Sequence, residues 1–298
     1  MEHHHHHHHS APAQSLNGIF ILSIILNGLF VLIEAGVGLW QNSMSLLSDA
    51  GHNLSDVFSL VLVLIAFRLA KVQSNSRFTY GYRKSTILIS LLNAVILLVA
   101  VGAIVIESIH KFSEPAEVNG IAVSWTAGVG ILINGATAML LMRSQKSDLN
   151  VRSAFLHMAA DTLVSVGVVI SGLVIYFTGW AVIDPIVSLI IAAVILFSTW
   201  ELLSDSLRLA VDGIPDGVDL QEIEHLLVED EHVKDTHHIH VWAISTTETA
   251  LTAHVVMDDL SYWPQVAERI KHALAEHGIT HATLEPETAD CHCHDQEC

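Results

Sequence analysis

Two copies of the pattern His-x-x-x-Asp lie inside long apolar stretches of this chain. The first copy is formed by His52 and Asp56, and the second by His157 and Asp161. A spacing of four residues places both side chains of a pair on one face of a helix, about one turn apart. Two imidazoles and two carboxylates provide four ligands that suit a tetrahedral divalent ion such as Zn2+. The pattern predicts a buried metal site, and the alternative is that each pair forms hydrogen bonds only within a helix bundle.

Two polar residues beside the first pair are predicted to support it. Asp49 precedes His52 by three residues and lies on nearly the same helix face, where it can accept a hydrogen bond from the imidazole. A helix cap or a charge at the end of the span is an equally good interpretation of Asp49. Asn53 follows His52 directly and is assigned to the same outer layer of polar contacts.

Six apolar segments must position these side chains. The chain has 298 residues, of which 51% are hydrophobic and only 15% charged, whereas soluble proteins carry about 25% charged residues. Each segment has about 20 residues or more, which is enough to cross about 30 Å of hydrocarbon. They lie near Leu16–Leu39, Met44–Leu69, Thr86–Ile109, Ile121–Met142, Ala154–Phe177 and Ala181–Leu203. The composition therefore predicts an α-helical membrane protein with a six-helix transmembrane bundle over residues 16–206.

The distribution of Lys and Arg predicts how the bundle is oriented. Five basic residues lie in or beside the loop between the second and third segments, and three lie around the loop between the fourth and fifth. Lys111 is the single basic residue in the loops of the opposite side. Because basic loops remain in the cytoplasm, both termini are predicted to be cytoplasmic.

The region after the bundle changes in character. A linker over residues 207–217 contains Gly and Pro, and residues 218–288 have the patterns of a soluble domain. Periodicity predicts helices over 219–231 and 262–276 and strands over 236–245, 250–257 and 281–285. Asp219 is the predicted cap of the first helix, and Gly278 is predicted to end the second. The order αββαβ is typical of a small two-layer α+β domain.

Histidines and acids gather on the predicted strands of this domain. In strand 236–245, His238, His240 and Trp242 are expected on one face and Ile239 and Val241 on the other, because strand side chains alternate. Histidine on a strand is more often an exposed polar residue, but this number in one small sheet favours a regulatory metal site. The candidate ligands are His237, His238, His240, His254, His281, Glu285 and Glu287.

Both ends of the chain contain further candidate ligands. Residues 1–15 include the run His3–His9, which is interpreted as an affinity tag or as a native metal-gathering arm. The tail over residues 289–298 is dense in thiols and imidazoles, and a metal-binding tail is favoured over a free end. Its candidate ligands are Cys291, His292, Cys293 and Cys298.

Composition and motifs disfavour several classes of function. The chain has 31 acidic and 13 basic residues, a net charge of −18, and no basic patch in its soluble region, so no nucleic-acid partner is expected. A membrane metalloenzyme would carry a motif such as His-Glu-x-x-His, which does not occur. A membrane-anchored metal sensor or storage protein is a further alternative, but it gives no reason for ligands inside two spans.

The sequence closely resembles the cation diffusion facilitator family, in its zinc-transporter branch. The resemblance covers nearly the whole chain and rests on motifs in a fixed order. These motifs are Leu46–Asp56, Phe78–Tyr82, His157–Asp161, Asp184–Ile186, Val211–Pro215 and His237–Trp242. It implies a homodimeric metal/proton antiporter in a membrane of the bacterial inner (plasma) type, with a metallochaperone-like, ferredoxin-like cytoplasmic domain.

The resemblance also implies roles for individual residues. His52, Asp56, His157 and Asp161 would form the transport site, in a His-Asp/His-Asp pattern associated with zinc preference. His237, His254 and Glu285 occupy positions of the family's cytoplasmic metal site, with Glu287 near another. Lys84 and Asp212 match a basic–acidic contact that holds the dimer at the membrane surface, and two solvated charges are the alternative.

These observations predict zinc efflux rather than catalysis. A neutral imidazole binds metal and a protonated one does not, so zinc must displace protons from its histidine ligands. The ordinary pKa of histidine, about 6.5, suits an exchange between a neutral cytoplasm and a more acidic exterior. We therefore expect cytoplasmic Zn2+ to be exchanged for protons, as counter-ions, by alternating access.

Overall fold

The computed structural model describes residues 13–40, 44–113, 120–180 and 182–289. The chain divides into two compact units, each considered by itself. The first contains the residues up to Lys71 together with Leu88–Ser204. The second contains Val72–Ile87 together with the residues from Asp205 onward. The loop after the second apolar segment is therefore part of the C-terminal unit.

Six long helices account for the six apolar segments. Their bounds are α1 Ala13–Trp40, α2 Met44–Leu69, α3 Ser85–Ser113, α4 Gly120–Leu141, α5 Leu149–Thr178 and α6 Ile183–Ala210. Among the described residues, three stretches are long and apolar enough by length and composition to cross a membrane: Gly18–Val37, Ser85–His110 and Pro185–Ala210. Helices α2 and α5 are 26 and 30 residues long. The polar side chains within them, the candidate ligands included, lower their hydropathy.

Helix α5 lies at the centre of the first unit. Helices α1, α2, α4 and α5 pack against one another around a buried apolar cluster that includes Phe20, Leu60 and Met158. The α5 residue Ala160 joins a separate cluster with residues of α3 and α6, such as Val101. Small side chains such as Ala160 let helices approach closely, which is how helices associate in lipid. The helix that carries the second His-Asp pair is thus contacted from both sides.

The second unit has the predicted αββαβ order. Its elements are α7 Leu220–Val228, β1 Val233–Ala243, β2 Thr249–Met257, a single 3-10 turn at Leu260–Tyr262, α8 Trp263–Glu276 and β3 Ile279–Thr288. Asp219 caps α7 as predicted, because its carboxylate accepts a hydrogen bond from the backbone N–H of Gln221. Gly278 follows α8 with φ +83°, a left-handed conformation that glycine adopts without strain.

The strands form one sheet in the order β1-β2-β3. Strands β1 and β2 are antiparallel, and β2 and β3 are parallel, with α8 as the crossover between them. Leu251 and Val255 of β2 lie in the core with Ile223 of α7 and Ile270 of α8. Since successive strand side chains point to opposite faces, Thr252 and the other alternate residues of β2 lie on the face away from these helices.

An ion pair fixes the chain before β1. The guanidinium of Arg269 on α8 donates to the Asp230 carboxylate, with Nε–Oδ2 at 2.7 Å and an Nη2–Oδ2 contact of 2.6 Å. Burial acts to raise the pKa of Asp230, but hydrogen bonds from the His232 backbone N–H and from Arg269 outweigh it and hold this pKa below its ordinary value. The pair ties α8 to the turn between α7 and β1.

Candidate metal centres

The first candidate centre joins one residue of each His-Asp pair across two helices. His157 on α5 is 3% exposed, and Asp56 on α2 is 4% exposed. The His157 Nδ1 atom lies 3.8 Å from Asp56 Oδ1. Asp56 of the first pair and His157 of the second, 101 residues apart in the sequence, thus lie close together in the interior of the first unit.

The spacing of these two atoms is suited to a shared ion. At 3.8 Å the contact is too long for a hydrogen bond. Ligand atoms that lie 2.0–2.2 Å from a tetrahedral zinc ion are roughly 3.3–3.6 Å from one another. A small side-chain movement would therefore let Asp56 and His157 bind the same ion.

The other two predicted ligands occupy matching helical positions. Asp161 is half-buried on α5, one turn beyond His157. His52 is part of α2, one turn before Asp56. The side chains of His52 and of Asp49 lie outside the described residues, so their predicted roles remain predictions.

A buried acid that the sequence analysis did not include among the site residues contacts the predicted support residue. Asn53 Nδ2 donates a hydrogen bond to Glu34 Oε2 on α1, with a length of 2.8 Å. Glu34 is 2% exposed. The sequence contained the signal, because an acid inside an apolar span is costly and is usually functional. Spacing along the chain does not identify Asn53 as its partner, since the contact links two different helices.

The second candidate centre lies on the sheet of the C-terminal unit. Ligand atoms of His237, His238 and His254 all lie within 4.8 Å of one another. Their ring centroids are 5.0–5.1 Å apart. Among the described residues, this trio is the one group of three or more His, Cys, Asp or Glu side chains with such proximity. We call it the sheet-face trio.

A β-bulge assembles the sheet-face trio and corrects the predicted alternation of β1. His237 pairs with His254, but the next paired residues are His240 and Thr252, so β1 has one more residue than β2 in this interval. His238 adopts φ +51° within the bulge. Strict alternation would place the neighbours His237 and His238 on opposite faces, but the inserted residue interrupts the period of two at this point. Beyond the bulge the predicted alternation holds, because Ile239 and Val241 pack in the core and His240 is exposed.

Two carboxylates adjoin the trio. Glu287 is 7% exposed, and its Oε1 lies 2.7 Å from His254 Nδ1 while its Oε2 lies 3.2 Å from His237 Nε2. The exposed Glu285 places Oε2 3.6 Å from His254 Nε2. Acceptors beside an imidazole fix its orientation and raise its basicity as a ligand.

The remaining strand histidines are placed elsewhere on the sheet. His240 is exposed and pairs with Thr252, next to the bulge. His281 pairs with Ala250, and its ring packs edge-on against Tyr80 of the loop Val72–Ile87, with centroids 5.5 Å apart. The structure does not bring either residue into the sheet-face trio.

The loop Val72–Ile87 is held to the rest of the second unit by polar contacts. Lys84 Nζ contacts Asp212 Oδ1, so these two charges meet within one chain rather than standing apart in solvent. Arg83 Nη1 lies 2.8 Å from Glu248 Oε2 in the turn between β1 and β2. Exposed pairs such as these stabilise a fold by about 0–1 kcal/mol each, so they contribute more to position than to stability.

The sequence also predicts metal ligands at the two ends of the chain. The run His3–His9 and the tail ligands lie outside the described residues. Their predicted metal binding stays a prediction. The tail ligands concerned are Cys291, His292, Cys293 and Cys298.

Both parts of the chain match models of known families. Residues 20–209 match the cation efflux transmembrane domain, and residues 215–289 match the cytoplasmic domain of cation efflux proteins.

Several bacterial proteins are similar to this chain over most of their length. The chain is 36% identical over 282 residues to a cadmium, cobalt and zinc/H(+)-K(+) antiporter of Bacillus velezensis, covering 93% of this chain and 90% of the relative. It is 34% identical over 272 residues to the metal cation efflux system protein CzcD of Cupriavidus metallidurans, covering 91% and 86%. It is 35% identical over 271 residues to the zinc transporter ZitB of Escherichia coli, covering 89% and 86%.

Proposed function

The chain belongs to the cation diffusion facilitator family, and from that premise we propose that it exports cytoplasmic Zn2+ in exchange for protons. The observation that carries this proposal is the buried approach of Asp56 on α2 to His157 on α5. Two ionisable groups from different helices approach each other inside apolar membrane spans. Ionisable groups in such surroundings usually bind ions or transfer protons. The family consists of transporters, and the chain is not an enzyme.

The substrate ligands in this proposal are the two His-Asp pairs. His52 and Asp56 on α2, with His157 and Asp161 on α5, provide two neutral nitrogens and two anionic oxygens. Their two negative charges balance the charge of Zn2+, so the loaded site is neutral in the membrane interior. A neutral loaded site avoids the cost of moving a bare divalent charge through low-dielectric surroundings.

Proton exchange follows from the chemistry of the same ligands. Zinc binds the deprotonated imidazoles of His52 and His157, and protons compete for the same lone pairs. Toward a neutral cytoplasm, metal binding is favoured; toward a more acidic exterior, protonation releases the ion. Alternation between these two exposures exports zinc while protons enter.

The ligand chemistry favours zinc over larger and softer ions. Imidazole nitrogen and carboxylate oxygen form tetrahedral zinc sites, whereas softer metals prefer thiolates. The relatives include a protein named for cadmium and cobalt as well as zinc.

We assign a regulatory role to the sheet-face trio. His237, His238 and His254, supported by Glu287 and Glu285, would bind zinc on the cytoplasmic side. The trio is partly exposed, so it can sample the cytoplasmic metal concentration. Binding there shifts transport only through a difference in affinity between conformational states. We expect metal binding outside the trio by His240, His281 and the thiol tail.

The proposed assembly is a homodimer in a bacterial inner (plasma) membrane. Both termini lie in the cytoplasm because the basic loops do. The contact between Lys84 and Asp212 would support the dimer near the membrane surface by holding the loop Val72–Ile87 against the end of α6.

Zinc flux in sealed proteoliposomes tests the proposal. With an opposing proton gradient, we expect saturable zinc transport with stoichiometric proton counterflow. Zinc movement that is unchanged after the gradient is collapsed, without proton movement, would exclude antiport. Zinc binding without any flux would instead favour a membrane-anchored sensor or storage protein.

A further inference from the structure

Glu34 is the buried acid of helix α1. It lies in the apolar stretch Gly18–Val37, is 2% exposed, and accepts the hydrogen bond from Asn53 on α2. Helices α1 and α2 are extensively packed against each other. A buried polar side chain in such surroundings is costly unless it is hydrogen-bonded, and the bond of Glu34 to Asn53 links α1 to α2.

Asn53 lies between the two predicted ligands of α2. It follows His52 directly and precedes Asp56 by three residues, or roughly 60° around the helix axis from Asp56. A hydrogen bond that fixes the Asn53 side chain therefore fixes the rotation of α2 about its own axis. The same rotation decides whether Asp56 points toward His157.

We propose that Glu34 is a positioning residue for transport, which holds α2 through Asn53 in the rotation that presents Asp56 to His157 on α5. This inference rests on the proposed function of the two His-Asp pairs. Residues that orient metal ligands from outside typically affect metal affinity or activity by about 10–100-fold when removed. The expected effect is on zinc affinity more than on maximal rate, because the four ligands themselves are retained.

Asn27 offers a matched control on the same helix. It lies two turns before Glu34, is also buried, and donates its side-chain hydrogen bond to the backbone carbonyl of Ser23 at 2.9 Å. That bond lies within α1 and does not connect it to α2. Replacing Asn27 removes a buried polar group of α1 without removing the link to Asn53.

The experiment measures zinc transport kinetics in proteoliposomes for five variants of the full chain. They are Glu34→Leu, Glu34→Gln, Asn53→Leu, the double variant Glu34→Leu/Asn53→Leu, and Asn27→Leu. We expect Glu34→Leu and Asn53→Leu each to raise the zinc KM about tenfold, and the double variant to be no worse than either. Glu34→Gln keeps a carbonyl acceptor for Asn53 and should return the KM to within about twofold of the parent. Asn27→Leu should leave the kinetics unchanged.

Four results would overturn the inference. These are an unchanged KM in Glu34→Leu, additive effects in the double variant, a Gln variant no better than the Leu variant, and an Asn27→Leu defect of equal size. If Glu34→Leu fails to fold, Glu34→Gln and Asn53→Leu still decide, because the first should retain the parent KM and the second should lose it. The variant Asp161→Ala distinguishes failure of the proposed transport site from failure of the proposed role of Glu34. Full transport in Asp161→Ala would refute the proposed site itself, whereas loss of transport there beside parental kinetics in both Glu34→Leu and Asn53→Leu would refute only the role of Glu34.

Discussion

Both candidate centres combine histidines with acidic side chains, but different local structures bring these residues together. In the first unit, His157 and Asp56 are almost fully buried, and the predicted ligands of each helix are four residues apart. In the second unit, the His237 and His254 side chains retain 33% and 22% exposure and are brought together by strand pairing and a bulge. Burial of the first centre fits its proposed role in carrying an ion through a membrane, and exposure of the second fits its proposed role in sensing one.

The largest expected effect separates the two centres by function. Asp161→Ala should reduce zinc flux to background while the protein still folds, because it removes one of four ligands from the buried site. Thr162→Val is the matched control, since the Thr162 hydroxyl donates only within α5, to the Met158 carbonyl. Proteoliposome flux measures both variants. Near-parental flux in folded Asp161→Ala protein would refute the assignment of the buried site.

A change of ligand type in the buried centre should alter selectivity rather than abolish transport. His52→Asp replaces an imidazole with a shorter carboxylate that can bind through one or two oxygens, so the site can accommodate a larger ion than zinc. We expect the ratio of zinc to cadmium transport to fall. Competition between the two ions in the same vesicles measures this ratio, and an unchanged ratio in an active variant would show that His52 does not set selectivity.

Removing a ligand of the exposed centre should give a smaller effect of a different kind. His254→Ala should weaken zinc binding at the sheet face, because it removes one of the three imidazoles, and should lower transport at limiting zinc. Maximal flux should remain close to that of the parent, because the buried ligands are intact. The exposed His272 on α8, outside the trio, gives the control variant His272→Ala. A loss of maximal flux in His254→Ala would remove the distinction between a carrying site and a sensing site.

We expect the C-terminal tail to affect zinc binding in the cytoplasm rather than zinc transport by the buried centre. Deleting residues 291–298 should lower the number or affinity of zinc ions bound by the full chain, with a thiol reductant present, and leave maximal flux unchanged. Three thiols bind zinc well, but they follow the last strand in the sequence and are not among the proposed transport ligands. Calorimetry on the parent and the deletion variant measures the difference. Identical stoichiometry and affinity would show that the tail is a free end.

The smallest expected effect concerns the stability of the C-terminal unit. Asp230→Asn weakens the ion pair with Arg269 and should lower the melting temperature of this unit by a few degrees. The folded-state pKa of Asp230 is depressed, so its contribution is present above the ordinary pKa of about 3.9 and is lost as pH falls through the folded value. Melting followed by circular dichroism from pH 7 to pH 3 should show the two proteins converging in acid. The exposed Asp258→Asn change, which affects a pair with Lys234, is the control.

Local patterns predicted most of the elements. Six apolar segments and the αββαβ order both follow from short-range periodicity, and the structure confirmed them with shifted boundaries: α7 ends at Val228, and β3 extends to Thr288. The cap at Asp219 was also predictable, because a capping carboxylate acts on an N–H only two residues away. The bulge at His238 was not, since alternation is the default for a strand and the register depends on its partner.

The two His-Asp pairs follow from residue order alone, because a spacing of four fixes which side chains share a helix face regardless of the rest of the fold. Residue order also determined that ionisable groups stand in apolar surroundings, and the family motifs around them. Three contacts could not be predicted from residue order. They are the approach of Asp56 to His157, the hydrogen bond from Asn53 to Glu34, and the grouping of His238 with His237 and His254. Each of these contacts joins different helices or strands or depends on strand register, and packing and pairing between elements, rather than the order of residues within one, set those distances.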